Sequence, residues 1–199
     1  LKLFGKRPKE KYHSYKGEVG KVAGNIIQRN FKADRPLQKW TTDVTQFHFS
    51  WGKCYLSPIL DMNTNEIISY DLSMIPNLNQ IKRMLNRAFK KFRNLQGLIM
   101  HSDQGWQYQH EYYRSELKKH GIIQSMSRKG NCYDNSIMET FFGRMKNEMY
   151  YGSEKEYTSF KVFAKAVKEY IHYFNKERIQ KKTKWMPPEI YRETSTNAI

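Results

Sequence analysis

The sequence predicts an α/β fold built on a mixed five-stranded sheet flanked by helices, and three observations carry that expectation. From Lys39 onward, three segments rich in β-branched and aromatic residues follow one another with short polar connections: KWTTDVTQFHF (39–49), KCYLSPILDM (53–62) and EIISYDLSM (66–74). That is the pattern of an antiparallel meander. Beyond them, helical periodicity alternates with short apolar runs, as in parallel strands joined by helices. One of these runs, LIMHS (98–102), leads straight into a carboxylate, Asp103. In open α/β sheets, the crevice outside the carboxyl ends of the strands is where ligands bind.

The elements follow in order. Residues 1–38 are rich in Lys, Gly and Tyr without a sustained period, which reads as a largely extended basic arm. The chain opens on Leu1 rather than Met, so the arm is expected to link to a preceding part. The first two strands join at Ser50-Trp51-Gly52, and the second and third at Asn63-Thr64-Asn65. In NQIKRMLNRAFKKF (79–92), Ile81, Leu85, Ala88 and Phe92 recur at helical spacing among lysines and arginines, giving an amphipathic helix with a cationic outer face. After LIMHS comes a helix through Tyr112, Tyr113, Leu117 and Lys118, ending at Gly121, and then a short strand, IIQSM (122–126). A further helix begins near Asp134, with Ile137, Phe141 and Met145 on one face. Residues 159–176 form a long helix that buries Phe160, Phe163, Val167 and Ile171. The tail, KWMPPEIYRE (184–193), is expected to be broken by its prolines and packed through Trp185 and Tyr191.

Charge narrows the function. The net charge is +16, and residues 1–40 hold eleven Lys or Arg against Glu10, Glu18 and Asp34. A strongly basic chain with clustered cations is the electrostatic footprint of a nucleic-acid partner. The two cysteines, Cys54 and Cys132, form neither a disulfide framework nor a zinc motif. No apolar run approaches the ~20 residues of a membrane span, and no signal-peptide pattern opens the chain. The expectation is a cytoplasmic, nucleoid-associated protein without a membrane partner.

Three acids stand out. Asp43 lies inside a β-favouring stretch, where Asp is depleted and where an unpaired carboxylate is costly to bury. Asp103 ends a strand, although an Asp followed by Gly105 also suits a plain turn. Glu139 lies on the polar face of its helix, shared with Asn135 and Lys146. Ser136-x-x-Glu139 also matches a capping box, but Asp134 and Asn135 are better caps, which would leave Glu139 in the second turn. Three such carboxylates within about 5 Å would repel by roughly 3 kcal/mol per pair at an effective dielectric of 20, so the cluster requires cations. Oxygen-only ligation selects Mg²⁺, with Mn²⁺ as a substitute, and a pair of such ions suits in-line phosphoryl displacement. Asp61, which leads into a turn, and Asp71, on an edge-like strand, are weaker candidates. His101 and His110 are read as structural.

Asp43, Asp103 and Glu139 are spaced by 60 and 36 positions. This resembles the D, D-35-E pattern of the retroviral-integrase superfamily. Together with YLSPILDMNTNEIISY, HSDQGWQYQH, QSMSRKGNCYDNSIMETFFGRMKNEM and YIHYFNKERIQ, the chain from about Lys39 to Arg178 resembles the catalytic OrfB region of insertion-sequence transposases, specifically the insertion-sequence-three family. The resemblance implies an RNase H-like fold and catalysis by Asp43, Asp103 and Glu139 holding Mg²⁺, with two ions expected. It further implies cleavage that exposes a 3′-OH at element ends, attack of that hydroxyl on another strand, and a DNA contact by Lys146. Arg128, Lys129 and Asn135, in and after a glycine-containing basic loop, are further DNA-contact candidates. Trp106 and Tyr108 either stack on an unpaired base or pack their loop. Members of the family carry an upstream helix-turn-helix region, and nothing before Lys39 resembles one. Trp185 and Pro187 stand where the family more often has small residues. Bringing two element ends together calls for a homo-oligomer. Two other functions remain open: a catalytically inactive or truncated remnant that binds DNA through charge alone, and an RNase H-type hydrolase.

Overall fold

The computed structural model describes residues 20–196, and its sheet contains six strands. β1 (Lys39–Thr42) and β2 (Thr45–Phe49) run in succession along one edge of β3 (Gly52–Asp61), both antiparallel to it. β4 (Ile67–Ser73) pairs with the opposite edge of β3, with a register slip between Ile59 and Leu60. β5 (Ile99–Ser102) lies parallel to β1, and β6 (Ile123–Met126) parallel to β5. The sheet is therefore five strands wide, because the expected first strand is a single line broken at Asp43 and Val44. The break has a local cause: the Asp43 carboxylate accepts the Val44 N–H at 2.7 Å, replacing a ladder partner with a side chain.

The pleat sends alternate residues to two separate cores. Ile59 and Ile68 face one way, with Trp40 and Met100, against Ile81, Met84, Leu85 and Ala88 of α1 (Leu78–Lys91). Tyr113 and Leu117 of α3 (Glu111–Lys119) and Tyr108 of the short α2 (Trp106–Gln109) complete that side. Leu56, Leu60 and Ile67 face the other way, against Met138, Phe141 and Met145 of α4 (Ser136–Met149) and Phe163, Val167 and Phe174 of α5 (Phe160–Lys176). Each fully buried Leu, Ile or Phe contributes roughly 1.5–3 kcal/mol, so both helical layers are firmly seated. Asn77 caps α1, its side chain accepting the Gln80 N–H at 3.1 Å, and Lys90 and Lys91 favour the helix's negative end.

Two expectations are corrected. Residues 20–38 carry no helix or strand, as expected of an extended arm, but they are anchored: Ile27 is buried against Met62, Ile26 N–H donates to Ser125, and Asn25 and Arg29 reach Asp134. Three backbone and side-chain anchors outweigh the arm's lack of periodicity. Residues 1–19 lie outside the described residues. The tail is not broken by its prolines either, since Pro188 begins α6 (Pro188–Thr196), where its missing N–H costs nothing. Trp185, expected to pack the tail, is 64% exposed.

Candidate active site

β1 and β5 bring two carboxylates together at their carboxyl ends. Thr41 pairs in register with His101, so two residues further along Asp43 stands opposite Asp103, and adjacent strands lie about 4.8 Å apart. Thr41 and His101 point toward the turn before α4: Thr41 Oγ1 donates to Asn135 at 2.6 Å, and His101 Nε2 lies 2.8 Å from the Asp134 carbonyl. By the pleat, the two aspartates face the same way, and the Asn135 amide lies 3.5 Å from Asp43 Oδ2.

Both aspartates are half-buried. Burial pushes the Asp43 carboxyl well above the ordinary carboxylate range, the Asp103 charge pushes it further, and the Glu139 charge adds to both, against the opposing hydrogen bonds from Val44 and Asn135. Burial likewise raises Asp103, opposed by the Gly105 N–H at 2.9 Å. Beside the pair lie the buried phenols of Tyr108 and Tyr113, both pushed up by burial first, and then by Asp43 and Asp103 for Tyr108 and by Asp103 for Tyr113. Tyr108 packs, as one of its two expected readings had it. Trp106 is partly exposed.

Glu139 stands apart. It is exposed in the first turn of α4, not the second, because the helix proper starts at Ser136 after a 3₁₀ turn at Cys132–Asn135. Burial raises its carboxyl modestly, and its charge is felt at Asp43. Among the described residues no three His, Cys, Asp or Glu side chains sit close enough together to grip an ion as the chain stands. Two of the three acids are thus adjacent, and the third faces them from the neighbouring helix.

The chemistry of the pair still fits a divalent cation. Each of the four buried acids among the described residues has compensation. Asp61 accepts from Leu37, Trp40, Asn63 and Thr64; Glu66 pairs with Lys91 and Arg192; Asp71 pairs with Arg83 and Arg87; Asp134 pairs with Arg29 and Arg128. Asp43 and Asp103 have no cationic side chain within pairing distance among the described residues. Two buried carboxylates side by side without a counter-charge call for one.

The remaining candidates divide. Asn135 is 4% exposed and spends its amide on Thr41, Thr42 and Asp43, so the expected DNA contact is corrected to a brace for β1. It sits at the N-cap of α4, but its side chain caps nothing for that reason. Arg128 is exposed, yet its guanidinium grips Asp134 through Nε and Nη2, both at 2.9 Å. That hydrogen bonding, with the Arg29 bond and the backbone N–H of Arg128, holds the Asp134 carboxyl far below the usual range despite its burial. Lys129 is exposed. Lys146 is half-buried, with Nζ 5.2 Å from the centre of the Phe47 ring, and burial lowers its pKa. His101 is held neutral by burial, its pKa lowered to about 4, and serves as a spacer between Ser125 and the Asp134 carbonyl. Sequence reasoning missed Asp134 as the hub of this loop; its signal was an acid six residues after Arg128 in a glycine-containing turn.

Comparison with known proteins gives a consistent picture. A family model described as "Integrase core domain" matches residues 33–132, and a second model of the same description matches 139–195. An uncharacterized transposase-like protein of Haemophilus influenzae is 53% identical over 99% of this chain and 90% of its own length. The putative transposase InsK for insertion sequence element IS150 of Escherichia coli K12 is 50% identical over 92% of this chain and 64% of its own length. Among solved structures, the catalytic core domain of HTLV-2 integrase in complex with magnesium matches with a TM-score of 0.64 at 14% identity, over 80% of this chain and 99% of that one. A second neighbour, the catalytic core domain of BIV integrase, gives 0.56 at 19% identity over 81% and 97%. At such identities these structures establish the RNase H-like fold alone. No helix among the described residues is long and apolar enough to cross a membrane.

Proposed function

The chain belongs to the integrase-core family that includes insertion-sequence transposases, and on that premise we propose that it catalyses divalent-metal-dependent cleavage of DNA at element ends, followed by strand transfer. The observation that carries this reading is the Asp43–Asp103 pair, set side by side at the ends of two parallel strands with no cationic partner among the described residues while the charge of Glu139 faces it. Asp43, Asp103 and Glu139 are the ligands in this proposal. Mg²⁺ or Mn²⁺, as a pair of ions, would stabilise charge on the scissile phosphate and lower the pKa of the attacking hydroxyl or water. The chain's own contribution is placement. β1 and β5 fix the two aspartates, and the Val44 and Gly105 N–H groups orient their carboxylates. Asn135 ties the start of α4 to β1 so that Glu139 approaches from a set direction. Lys129 and Lys146 would contact the DNA backbone as point charges, and the working complex would be a multimer that joins two ends.

The test is cleavage of a labelled element-end duplex by the purified protein with Mg²⁺ or Mn²⁺. Asp43→Asn, Asp103→Asn and Glu139→Gln should each reduce it by at least about a hundredfold, the scale on which transition-state charge stabilisation acts. An intact rate in any one of them removes that residue from the site. Salt-sensitive binding without cutting under either metal would identify a DNA-binding remnant, and loss of the RNA strand from a hybrid would identify a hydrolase.

A further inference from the structure

A second cationic feature lies on the flank of α4 away from the aspartates. A cleft of about 460 Å³ opens between α4 and the chain that follows α5, with Phe141 and Phe174 in its floor. Four cations line it: Arg144, Arg178, Lys181 and Lys182. Lys182 turns to the Met62 carbonyl and Asn65, and Glu148 holds Arg178 through Nη2 at 2.8 Å. Arg144 and Lys181 have no carboxylate within pairing distance among the described residues.

Two buried polar atoms in this lining lack a partner: Nε of Arg178 and Nε2 of Gln180. Gln180 is 8% exposed, and its Oε1 is already used in accepting from Asn65 at 2.9 Å. Both orphans are N–H donors, so what each lacks is an acceptor. Buried donors without partners are rare and call for a reason. A pair of them among four cations specifies an anionic oxygen ligand, and a phosphodiester offers two such oxygens and one negative charge.

We propose that this cleft seats a backbone phosphate of the DNA strand that runs through the active site, through Arg144, Lys181 and the free N–H groups of Arg178 and Gln180. The inference rests on the function proposed above and adds a second anchoring point to it. Position favours a DNA strand over a free anion. Glu139, Ser136, Thr140 and Arg144 are successive neighbours three or four residues apart on the surface of α4. The rise from Glu139 to Arg144 is about 7.5 Å, with about 140° of rotation around the helix, so a strand with its reacting phosphate at Glu139 reaches the cleft by passing around α4 over the Ser136 and Thr140 positions, within a few nucleotides.

The experiment uses the full chain carrying Asp43→Asn, which removes cleavage from the measurement, and a fluorescent element-end duplex followed by anisotropy across a salt series with chelator present. Adding Arg144→Ala with Lys181→Ala should weaken binding at least several-fold. It should also lower the slope of log affinity against log salt by about one, since a lost phosphate contact removes about 0.9. Lys165→Ala, on the outer face of α5, serves as the control and should change neither quantity. Gln180→Glu places a negative charge in the cleft and should weaken binding, with thermal melting confirming that it folds. A slope equal to that of the control overturns the proposal. So does inorganic phosphate that protects the parent against melting, in an Arg144- and Lys181-dependent way, while DNA binding is untouched; the cleft would then be an anion site unrelated to DNA. Failure of the functional reading looks different, because the unmutated chain would then show no metal-dependent cleavage while these binding results could stand.

Discussion

Replacing Asp43 with Asn should make the metal-free protein more stable, which is the opposite of what removal of a buried, hydrogen-bonded acid normally does. Two carboxylates about 5 Å apart at an effective dielectric of 20 repel by roughly 3 kcal/mol. Part of that is evaded because burial and the Asp103 charge raise the Asp43 pKa, so that the pair holds a proton to higher pH than an ordinary carboxylate does. The recoverable part is about 1–2 kcal/mol, and in a chain of this length each kcal/mol moves the melting temperature by about 2–4 °C. Asn keeps an oxygen for the Val44 N–H, so only the long 3.5 Å contact from the Asn135 amide is given up. The expected outcome is a rise of roughly 2–8 °C in chelator. In the same assay Asp71→Asn should fall, because Asp71 is gripped by Arg83 at 3.0 and 2.7 Å and by Arg87 at 2.9 Å. The sign with pH follows. A carboxyl whose folded pKa lies above its unfolded value contributes stability at low pH, and that contribution is lost as pH rises through the folded value. The parent's deficit relative to Asp43→Asn should therefore widen above about pH 4. Mg²⁺ should reverse it, adding about 2.7 kcal/mol at a hundred times its dissociation constant, and should do so far less in the variant. A melting temperature for Asp43→Asn that drops as far as that of Asp71→Asn would refute the reasoning, because it would mean that Asp43 is held by a partner and not waiting for one.

Three further outcomes follow from the same geometry. Glu139→Gln should leave melting within about 0.5 kcal/mol of the parent, as an exposed position does, while cleavage is lost; a large stability change would show that Glu139 has a structural job. His101 is held neutral with its pKa lowered to about 4 by burial. Its unfolded form takes up protons first, so stability should fall as pH drops from about 6.5 toward 4, by up to about 3 kcal/mol. Chemical denaturation across that window should show a shallower slope in His101→Asn. Lys146→Ala should weaken duplex binding and lower its salt slope by about one, and an unchanged slope would leave the lysine as packing over Phe47.

The strands were legible because β-branched and aromatic runs dictate them, and the pairing of Asp43 with Asp103 was legible because each breaks a rule of its own segment. What escaped was side-chain competition. Asn135 looked like a helix cap and a polar surface residue, yet Thr41 and the Thr42 carbonyl draw its amide inward. Arg128 looked free for DNA, but Asp134 occupies two of its donors. Residues 20–38 have no period for the eye to follow. They are held by individual bonds to β6 and Asp134 and by the buried side chains of Ile27 and Ala33, and such point contacts leave no pattern in a sequence. Pro187 and Pro188 were read as breakers when the second is a helix start, a position where the same stereochemistry favours the helix.

The separation of Glu139 from the aspartates gives Asp134 its importance. Three charges fixed permanently within ligand distance would each repel the others, whereas a third acid set on the neighbouring helix lessens that cost until a cation is present. How far away it rests depends on what holds the turn before α4. That turn is clamped by Asp134, which accepts from Asn25, Arg29 and Arg128, while the adjacent Asn135 is tied to β1. Asp134→Asn should cost about 3 kcal/mol, the low end for removing one partner of a buried ion pair because the arginines are half-exposed and can hydrate. A purely structural clamp would stop there. If the clamp also sets the approach of Glu139, the Mg²⁺ concentration needed for half-maximal cleavage should rise about tenfold, the typical effect of losing support behind a metal ligand. Asp71→Asn, of similar cost to the fold but remote from α4, should leave that concentration unchanged. An equal metal requirement in the two variants would separate Asp134 from the chemistry and leave it a fastener of the chain's basic segment alone.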